Sequence, residues 1–558
     1  MTKEKLIIAN CSGFFGDRLS AAREMVEGGP IDVLVGDYLA ELTMAILFKQ
    51  TLKDPNKGYA HTFLMQMEEV MGRCLEKNIR VVANAGGLNP RGLARGLENL
   101  AAKLGLSPKI AYIEGDNLMP RLPELQELGE PFMHLDTGKT LKEAGAQPIT
   151  ANAYFGGWGI AKALYEGADI VVGGRIADAA VVMGPAAWHF DWEKTEWDRL
   201  AGAAVAGHII ECSGQATGGN YSFVDEVPSY SDLGFPIAEM HEDGSFVITK
   251  HSGTGGLVSV GTVTAQLLYE IREPAYLTPD VVARFDTIHI SQEAKDRVAI
   301  KGVRGEPAPE TTKVCINNHG GYSNAFTVLL SGLDIEKKAR IVEDTLFESI
   351  GGKSVFEKTE VQLIRSDKEN PPTNEESFAY LRISVMDPDP GKVAAFSSRL
   401  VELALCNIPG FAGTSPPAKG SPVIRHWPAL VHQKRVKQKV VIGTTEFVIE
   451  PPPPAVLPET LEPAWFEFPK VPSGPVISVP LGRVYAARSG DKGGNANLGI
   501  WGKTPLSYAF LEAFLTADKL KALLPDTAPF AIERYELPNL FALNFYIKGI
   551  GSAKPGRP

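Results

Sequence analysis

Five short apolar runs, each ending in a polar loop and followed or preceded by a helical pattern, constrain the fold of this chain most. The runs are residues 6–9, 31–35, 79–83, 109–113 and 169–172. Continuous apolar strands that alternate with amphipathic helices predict a parallel sheet covered on both faces. We therefore expect an N-terminal α/β domain built on an open, mostly parallel, Rossmann-like sheet.

Polar residues follow each of these runs. Ligands of open parallel sheets bind outside the carboxyl ends of the strands. A single polar loop of this kind is explained by the residues that turns and helix caps require, but five such loops together predict a cleft. The residues predicted to bind substrate there are Asn10, Ser12, Gly13, Asn84, Gly86, Gly87, Asn152, Gly174 and Asp178.

Five residues in or near this cleft are candidates for catalysis: Asp37, Asp116, Arg175, His208 and Cys212. A carboxyl group or an imidazole can act as general acid or base, and a guanidinium fork binds a carboxylate with two hydrogen bonds. Cys212 is a candidate nucleophile, with a buried apolar filler as the alternative. His208 has the alternative of a satisfied core residue.

Composition excludes several classes of protein. A length of 558 residues indicates several domains, and a net charge of −10 spread along the chain argues against a nucleic-acid surface. The five cysteines are scattered without a CxxC motif, which predicts reduced thiols in the cytoplasm. The N-terminus predicts no signal peptide, and no run of 18 apolar residues predicts a membrane span.

The named cofactor motifs are absent from the sequence. There is no P-loop, no G-x-G-x-x-G after the first strand, no G-x-S-x-G and no H-E-x-x-H. The strand-end carboxylates could hold Mg²⁺ together with waters, but nothing in the sequence fixes their mutual geometry. No metal site and no resident cofactor are therefore predicted.

The remainder of the chain predicts two further domains after an N-terminal domain at residues 1–215. Residues 216–450 alternate strand-like and helical stretches, which predicts a central α+β domain, with residues 314–322 forming a polar loop. The prolines of residues 451–480 predict an extended linker. Residues 481–558 read as strand, loop, strand, helix and strand pair, which predicts a small ferredoxin-like domain.

The densest polar cluster of the chain is the predicted loop at residues 488–497. It combines both charge signs, a hydroxyl, two amides and three glycines, whereas a surface turn needs only one or two of these. We expect it to close over the cleft of the N-terminal domain, the alternative being a solvated hairpin tip. The residues predicted to bind substrate from this loop are Arg488, Asp491, Lys492 and Asn495.

The sequence resembles the acyclic terpene utilization protein A family over nearly its whole length. The motifs that carry the resemblance are NCSGFFGDRLSAAREMV, IDVLVGDYLAELTMAIL, NAGGLNP, NAYFGGWGIAKAL, GADIVVGGRIADAA, AGHIIECSGQATGGNY and VGTVTAQLLYEI. RSGDKGGNANLGI resembles the small domain that accompanies the family, with Gly493–Gly494 doubled where a single glycine is expected. The resemblance implies degradation of citronellol- and geraniol-type terpenes through acyl-CoA intermediates, beside geranyl-CoA carboxylase.

These observations together predict an enzyme that acts on a branched or unsaturated carboxylic acid or its CoA thioester. The reaction would be a hydration, a lyase reaction or a thioester hydrolysis. Two alternatives are a non-catalytic accessory subunit of a biotin-dependent acyl-CoA carboxylase and a regulator that binds a small molecule. A homo-oligomer is the common outcome for soluble proteins of this kind, and we expect one here.

Overall fold

The computed structural model of the chain describes residues 5–456, 466–470, 474–475 and 477–551, apart from the side chain of Lys492. The chain divides into two compact units. The first comprises Met1–Asn317 and His426–Lys548, and the second comprises Asn318–Arg425 and Gly549–Pro558. The domain boundaries predicted at residues 215, 450 and 480 stay predictions.

The strands and helices up to residue 306 all belong to the first unit. The strands are β1 (Leu6–Asn10), β2 (Val33–Gly36), β3 (Arg80–Ala83), β4 (Ile110–Glu114), β5 (Pro148–Ala153), β6 (Ile170–Gly173), β7 (Pro236–Met240), β8 (Phe246–Lys250), β9 (Ala275–Leu277), β10 (Val282–Arg284), β11 (His289–Ala294), β12 (Arg297–Lys301) and β13 (Arg304–Glu306). The helices are α1 (Ala21–Gly28), α2 (Glu41–Lys53), α3 (His61–Glu76), α4 (Pro90–Leu104), α5 (Leu122–Glu127), α6 (Trp158–Tyr165), α7 (Ala180–Phe190), α8 (Trp197–Ile210) and α9 (Val260–Leu267).

The elements after residue 306 cross into the second unit and return to the first. They are β14 (Thr311–Leu330), α10 (Ile335–Ser349), β15 (Lys358–Ile364), β16 (Ala379–Asp387), α11 (Pro390–Glu402), β17 (Ala412–Gly413) and β18 (Ser421–His432). The chain continues with β19 (Gln438–Ile442), β20 (Thr445–Ile449), β21 (Ala486–Lys492), β22 (Asn495–Trp501), α12 (Pro505–Phe514), α13 (Ala517–Leu523), β23 (Ile532–Leu537) and β24 (Ala542–Ile547).

The main sheet has eleven strands in the order β11-β12-β8-β7-β1-β2-β3-β6-β4-β19-β20. Its five central strands, β1, β2, β3, β6 and β4, are the five apolar runs of the sequence, and they pair in parallel. The prediction of a mostly parallel sheet was wrong for the flanks, because antiparallel strands extend the sheet on both sides. The fold is therefore a mixed α/β fold with several sheets.

The central strands are buried on both faces, as their unbroken apolar sequence requires. Alternate residues point to opposite faces, so that Ile8, Val33 and Val82 belong to the core that includes residues of α6, α7 and α8. Their neighbours Ala9 and Leu34 belong to the other core, which includes residues of α1, α3 and α4. The sheet thus has helices on both faces and presents its strand ends at the edge.

Helix α4 shows how local sequence sets the positions of the loops. Asn89 caps it, because its side-chain oxygen accepts a hydrogen bond from the Gly92 amide at 2.9 Å, and Pro90 occupies the first helical position. Gly105 ends the helix in the left-handed conformation, at φ +69°. The polar loop after β3 is consequently held between a strand end and a well-defined helix start.

The second unit contains the sheet order β15-β16-β14-β17, with α10 and α11 contributing to its core. The predicted loop at residues 314–322 was wrong, because these residues lie inside β14, a strand of 20 residues. Their asparagines suggested a turn, but Asn317 and Asn318 are both buried within the strand. Tertiary burial outweighs turn propensity here.

The C-terminal domain is a four-stranded antiparallel sheet in the order β21-β22-β24-β23, with α12 and α13 contributing to its core. The predicted polar loop at residues 488–497 was wrong in form, since it is a β-hairpin whose turn is Gly493–Gly494. Part of the predicted linker at residues 451–480 lies outside the described residues. None of the helices that the structure describes combines the length and apolar composition that a membrane crossing requires.

Candidate functional site

The ends of β2 and β3 are joined by a buried carboxyl–amide pair. Asp37 follows β2 and Asn84 follows β3, and Asn84 Nδ2 donates to Asp37 Oδ1 at 2.6 Å. The Leu39 amide donates to the same oxygen at 3.1 Å, and the Tyr38 amide donates to Asn84 Oδ1 at 2.8 Å. Both hydrogen bonds to the Asp37 carboxyl end on Oδ1, so Oδ2 can carry a proton.

A second buried carboxyl group orients the loop after β6. Asp116 Oδ2 accepts hydrogen bonds from Asn152 Nδ2 at 2.7 Å and from the Arg175 amide at 2.9 Å. A Cβ atom on Gly174 would lie 2.3 Å from Asp116 Oδ1, so only glycine allows this close approach. Burial raises the pKa of Asp116. The structure therefore places Asp116, a predicted catalytic residue, where it holds the backbone that carries Arg175.

Arg175 is the largest fully buried side chain of the structure, with 1% of its surface exposed. Its guanidinium carbon lies 4.1 Å from the centre of the Tyr154 ring, and Nη1 donates to Asp178 Oδ1 at 2.6 Å. Despite burial, the charges of Asp178, Tyr154 and Glu41 raise the pKa of Arg175, so it is charged. Its buried Nε has no hydrogen-bond partner among the described residues. One donor of the fork is therefore available to a ligand oxygen.

The electrostatic surroundings of Asp37 favour its neutral form. Burial, followed by the charge of Asp178, raises the pKa of this carboxyl well above its usual range, and Glu211 adds to the effect. Arg175 and the hydrogen bond from Asn84 lower it, but they do not outweigh burial. Asp37 consequently keeps its proton at pH values at which an exposed aspartate is ionised.

The end of α8 brings a histidine, a glutamate and a cysteine to the same region. His208 Nδ1 lies 3.4 Å from Glu211 Oε1, and both side chains are buried. The His208 ring packs against Tyr276, with ring centres 4.8 Å apart. A Cβ atom on Gly13 would lie 2.8 Å from the carbonyl carbon of Cys212, so the first strand-end loop packs directly on this segment.

The thiol of Cys212 is not activated as a nucleophile. Burial raises its pKa well above the usual value, and the carboxyl groups of Glu211, Glu270, Asp37 and Asp178 raise it further. A thiol in such surroundings stays protonated, and the thiolate is the nucleophilic form. The same effects show that the ends of β2, β6 and α8 share one electrostatic environment with Glu270.

A second cluster of ionisable groups beside Arg175 was not predicted from the sequence. Lys313 Nζ forms an ion pair with Glu41 Oε1 at 2.8 Å, and the Tyr154 hydroxyl donates to the same oxygen at 2.7 Å. Burial raises the pKa of Glu41, but Lys313 and then His426 and Arg175 outweigh it and hold that pKa well below its usual range. Glu41 is therefore ionised.

Cys315 and His426 belong to this second cluster. Cys315 Sγ lies 3.8 Å from His426 Nδ1. Burial lowers the pKa of His426 to about 4, with a further lowering by Lys313, and burial raises the pKa of Cys315 to about 12. Both groups are thus neutral at pH 7. The only sequence signal was the alternation of Lys313, Cys315 and Asn317 along β14, which places them on one face of the strand.

The C-terminal domain contacts the same region through its hairpin. The Arg488 guanidinium carbon lies 4.2 Å from the centre of the Tyr269 ring, and Nη2 donates to Gln215. Gly493 has a φ of +68°, and a Cβ atom there would lie 2.7 Å from His426 Cδ2. Glycine at position 493 therefore lets the hairpin turn pack on the imidazole of His426.

The remaining predicted binding residues of this hairpin differ in their surroundings. Asn495 is buried, and its Nδ2 donates to Asp136 Oδ1 at 2.8 Å. Asp491 is exposed, and the side chain of Lys492 lies outside the described residues. Contact of these three with a substrate stays a prediction.

The strand-end glycines approach the protein's own atoms. A Cβ atom on Gly86 would lie 2.5 Å from the Gly173 carbonyl oxygen, and one on Gly87 would lie 2.2 Å from Leu47 Cδ1. Asn10 and Ser12 bond to each other, with the Ser12 amide donating to Asn10 Oδ1 at 2.9 Å. These residues shape the loops, and their predicted contact with a substrate stays a prediction.

Metal binding has no geometric support in the described residues. Within them, no three His, Cys, Asp or Glu side chains are grouped so that they could hold a metal ion. The five cysteines are free thiols.

The fold and the site define a class: a multi-sheet α/β protein whose parallel strand ends carry a buried carboxyl group with a raised pKa beside an ion-paired arginine. The chain belongs to the acyclic terpene utilisation family AtuA, whose model matches residues 6–442, and a model of the AtuA ferredoxin-like domain matches residues 479–553. Membership implies a part in acyclic terpene utilisation. Comparisons with curated proteins and with solved structures gave no match.

Proposed function

We propose that this chain is an enzyme that adds water to, or eliminates water from, a branched unsaturated carboxylic acid or its CoA thioester. The observation that carries the proposal is Asp37, a buried carboxyl group that Asn84 holds at the end of β2 and whose pKa burial raises well above its usual range, while the charge of Arg175 lowers it. A protonated carboxyl group can donate to carbon, and an arginine can hold the carboxylate or acyl oxygen. The five parallel strands support the proposal because ligands of such sheets bind outside the carboxyl ends of the strands, where Asp37 and Arg175 lie.

In the proposed hydration, the elements of water add across the double bond of the substrate. A base removes a proton from water as the water oxygen bonds to the β-carbon of the substrate. The electrons of the double bond move to the α-carbon and the acyl oxygen, where Arg175 Nε stabilises the negative charge. Asp37 then donates its proton to the α-carbon, and elimination follows the same steps in reverse.

Thioester hydrolysis through a cysteine is less well supported. That reaction needs a thiolate, whereas burial and four neighbouring carboxyl groups keep Cys212 protonated. Cys315 has a histidine neighbour, but burial raises the pKa of its thiol to about 12. The addition or elimination of water requires neither thiolate.

Kinetics on a substrate panel test the proposal. The purified chain is incubated with branched α,β-unsaturated acids and their CoA thioesters, and mass spectrometry detects products that have gained the mass of water. Asp37→Asn keeps the acceptor of Asp37 Oδ1 but cannot donate an acidic proton, so we expect kcat to fall about 100-fold or more. The exposed Asp225→Asn is the matched control, with activity unchanged.

The pH dependence of kcat is a second test of the role of Asp37. The folded-state pKa of Asp37 is raised, so the general acid is present at low pH and is lost as pH rises through that pKa. Wild-type kcat should therefore fall on the alkaline side, and this limb should be absent in Asp37→Asn. Full activity of Asp37→Asn would refute the role of Asp37.

The two other classes of function give different results in the same preparation. An accessory subunit of an acyl-CoA carboxylase would co-purify with a biotin-containing protein and give no product alone. A regulator would bind an acid or thioester without turnover. If compounds of the panel bind but none is converted to a product, the chain is a regulator and the enzyme proposal is refuted.

A further inference from the structure

A small cavity lies at the start of α6. Its walls come from the segment that leads into this helix, the segment between β9 and β10, the start of β14, the region between β18 and β19, and the residues that end and follow β20. Its volume is about 30 Å³, and it opens to solvent. Since one water molecule needs about 10–15 Å³ of such space, the cavity has room for about two groups of that size. Its occupant is therefore a small molecule or the end of a larger one.

Two glutamines that line the cavity present their side-chain oxygens as hydrogen-bond acceptors. Gln433 Nε2 donates to the carbonyls of Pro279 at 2.9 Å and Pro309 at 2.8 Å. Gln438 Nε2 donates to the Gly156 carbonyl at 3.2 Å. Because these partners are carbonyl oxygens, they require the amide nitrogens, and the orientation of each amide is set. Neither Oε1 atom accepts a hydrogen bond from the described residues.

Asp280 adds a carboxyl group to the same cavity. The residue is 2% exposed, and its Oδ2 accepts a hydrogen bond from the Gly157 amide at 2.9 Å. Its Oδ1 accepts none within the described part of the chain. A buried ionised carboxylate is costly unless a partner supplies hydrogen bonds and an opposite charge. The cavity thus combines three acceptor oxygens with one buried carboxylate.

Aromatic side chains form much of the remaining wall. Tyr154, Phe155 and Trp158 all line the cavity. The face of an aromatic ring attracts a cation. The ammonium of Lys194, which is not a lining residue, already lies 5.5 Å from the centre of the Trp158 ring and donates to the Glu450 carbonyl at 2.6 Å. These surroundings therefore accommodate positive charge.

We propose that this cavity binds a primary ammonium group, the charged end of a small amine. An ammonium group carries three N–H donors and one positive charge. The three acceptors are Gln433 Oε1, Gln438 Oε1 and Asp280 Oδ1, and the Asp280 carboxylate supplies the opposite charge. A carboxylate or phosphate ligand is disfavoured, because it would bring further acceptors and negative charge to a wall that already presents both. The site goes beyond the proposed function and is independent of the reaction proposed for the strand ends.

Methylammonium is the smallest probe of this site. Saturation-transfer NMR on its methyl resonance reports binding to the full chain, at pH 8 in an amine-free phosphate buffer. Tetramethylammonium carries the same charge but no N–H donor, so we expect it to bind at least about tenfold more weakly. Absence of methylammonium binding, or equal binding of both ions, would overturn the proposal. Displacement by an equal concentration of K⁺ would also overturn it, in favour of a site for any monovalent cation.

Substitutions test which oxygens hold the ammonium. Asp280→Asn keeps an acceptor for the Gly157 amide but removes the charge, so methylammonium should bind about tenfold more weakly. Gln438→Met keeps a side chain of similar length without the acceptor, and weaker binding is expected there too. Asp387→Asn is the matched control. Asp387 is a buried carboxyl group of the second unit whose Oδ1 accepts the Asp389 amide at 2.9 Å, and it does not line the cavity. Wild-type affinity in Asp280→Asn, or an equal loss in the control, would contradict the proposed site.

The pH dependence of binding provides a second measurement. Burial raises the pKa of Asp280 to about 7, and the Gly157 amide and the charge of Lys194 oppose this rise. Glu450 supplies the other carboxyl group among the lining residues. The ionised form of Asp280 binds a cation, so the affinity for methylammonium should increase from pH 6 to pH 8. This increase should be absent from Asp280→Asn. An increase of equal size in both proteins would show that Asp280 is not the opposite charge.

Discussion

Asp280 gives a quantitative test of the electrostatics around the site. The residue is 2% exposed, and its Oδ2 accepts a hydrogen bond from the Gly157 amide at 2.9 Å, at the start of α6. The preceding segment carries Tyr154, on which Arg175 stacks. Burial raises the pKa of Asp280 from 3.8 to about 7, and the hydrogen bond and the charge of Lys194 only partly oppose it.

The raised pKa of Asp280 makes the stability of the protein depend on pH. The folded state binds the proton more tightly than the unfolded state, so stability is highest at low pH and falls as pH rises from about 4 to about 7. The full loss is about 4 kcal/mol, since each pKa unit corresponds to about 1.4 kcal/mol. Between pH 5 and pH 8 the loss from this one group is about 2–3 kcal/mol.

Asp280→Asn removes the titration while the side-chain oxygen can still accept the Gly157 amide. Urea unfolding of variant and wild type at pH 5 and pH 8 gives the difference in the free energy of unfolding at each pH. We expect the variant to gain about 2–3 kcal/mol of stability relative to wild type between pH 5 and pH 8, whatever the new amide contributes at both pH values. If the free energies of unfolding of variant and wild type change equally between pH 5 and pH 8, Asp280 is not a buried carboxyl group with a raised pKa. The packing described here around Tyr154 would then be wrong.

The remaining predictions concern two glycines of the site. Gly174→Ala places a methyl group against Asp116 and should lower the free energy of unfolding by about 1–3 kcal/mol. Gly72→Ala in α3 is the control: its Cβ would lie 3.8 Å from Leu106 Cδ1, so the free energy of unfolding should rise by about 0.5–1 kcal/mol. Equal effects of the two substitutions in urea titrations would contradict the close approach of Gly174 to Asp116. Gly493→Ala adds left-handed strain and a clash with the His426 ring, so a melting temperature below that of wild type is expected. An unchanged melting temperature would show that the hairpin does not pack on this imidazole.

The central strands could be predicted from the sequence because their signal is local. Each is an uninterrupted apolar run bounded by polar or glycine residues, so β1 and β3 begin and end within a residue or so of the predicted positions. The flanks of the sheet could not be predicted in this way. Strands β7 and β19 pair with β1 and β4, which are remote from them in sequence, and no local pattern specifies which edge they join.

The residues of the candidate site likewise fall into those that local sequence could predict and those that it could not. Asp37, Asp116 and Arg175 follow predicted strands, so their proximity followed from the parallel sheet alone. Lys313 and His426 come from β14 and β18, and only tertiary structure brings them to Arg175. Site membership can therefore be predicted from sequence for polar residues at strand ends, whereas it cannot be predicted for polar residues inside long strands.

The central claim is that the carboxyl ends of the parallel strands form the binding site for an acyl acid. A crystal structure of the chain with a saturated branched acid or its CoA thioester, neither of which can be hydrated, tests this claim most directly. We expect an acyl oxygen within hydrogen-bond distance of Arg175 Nε and an α-carbon beside Asp37. Ligand density at any other surface, with the residues around Arg175 and Asp37 unchanged, would contradict it.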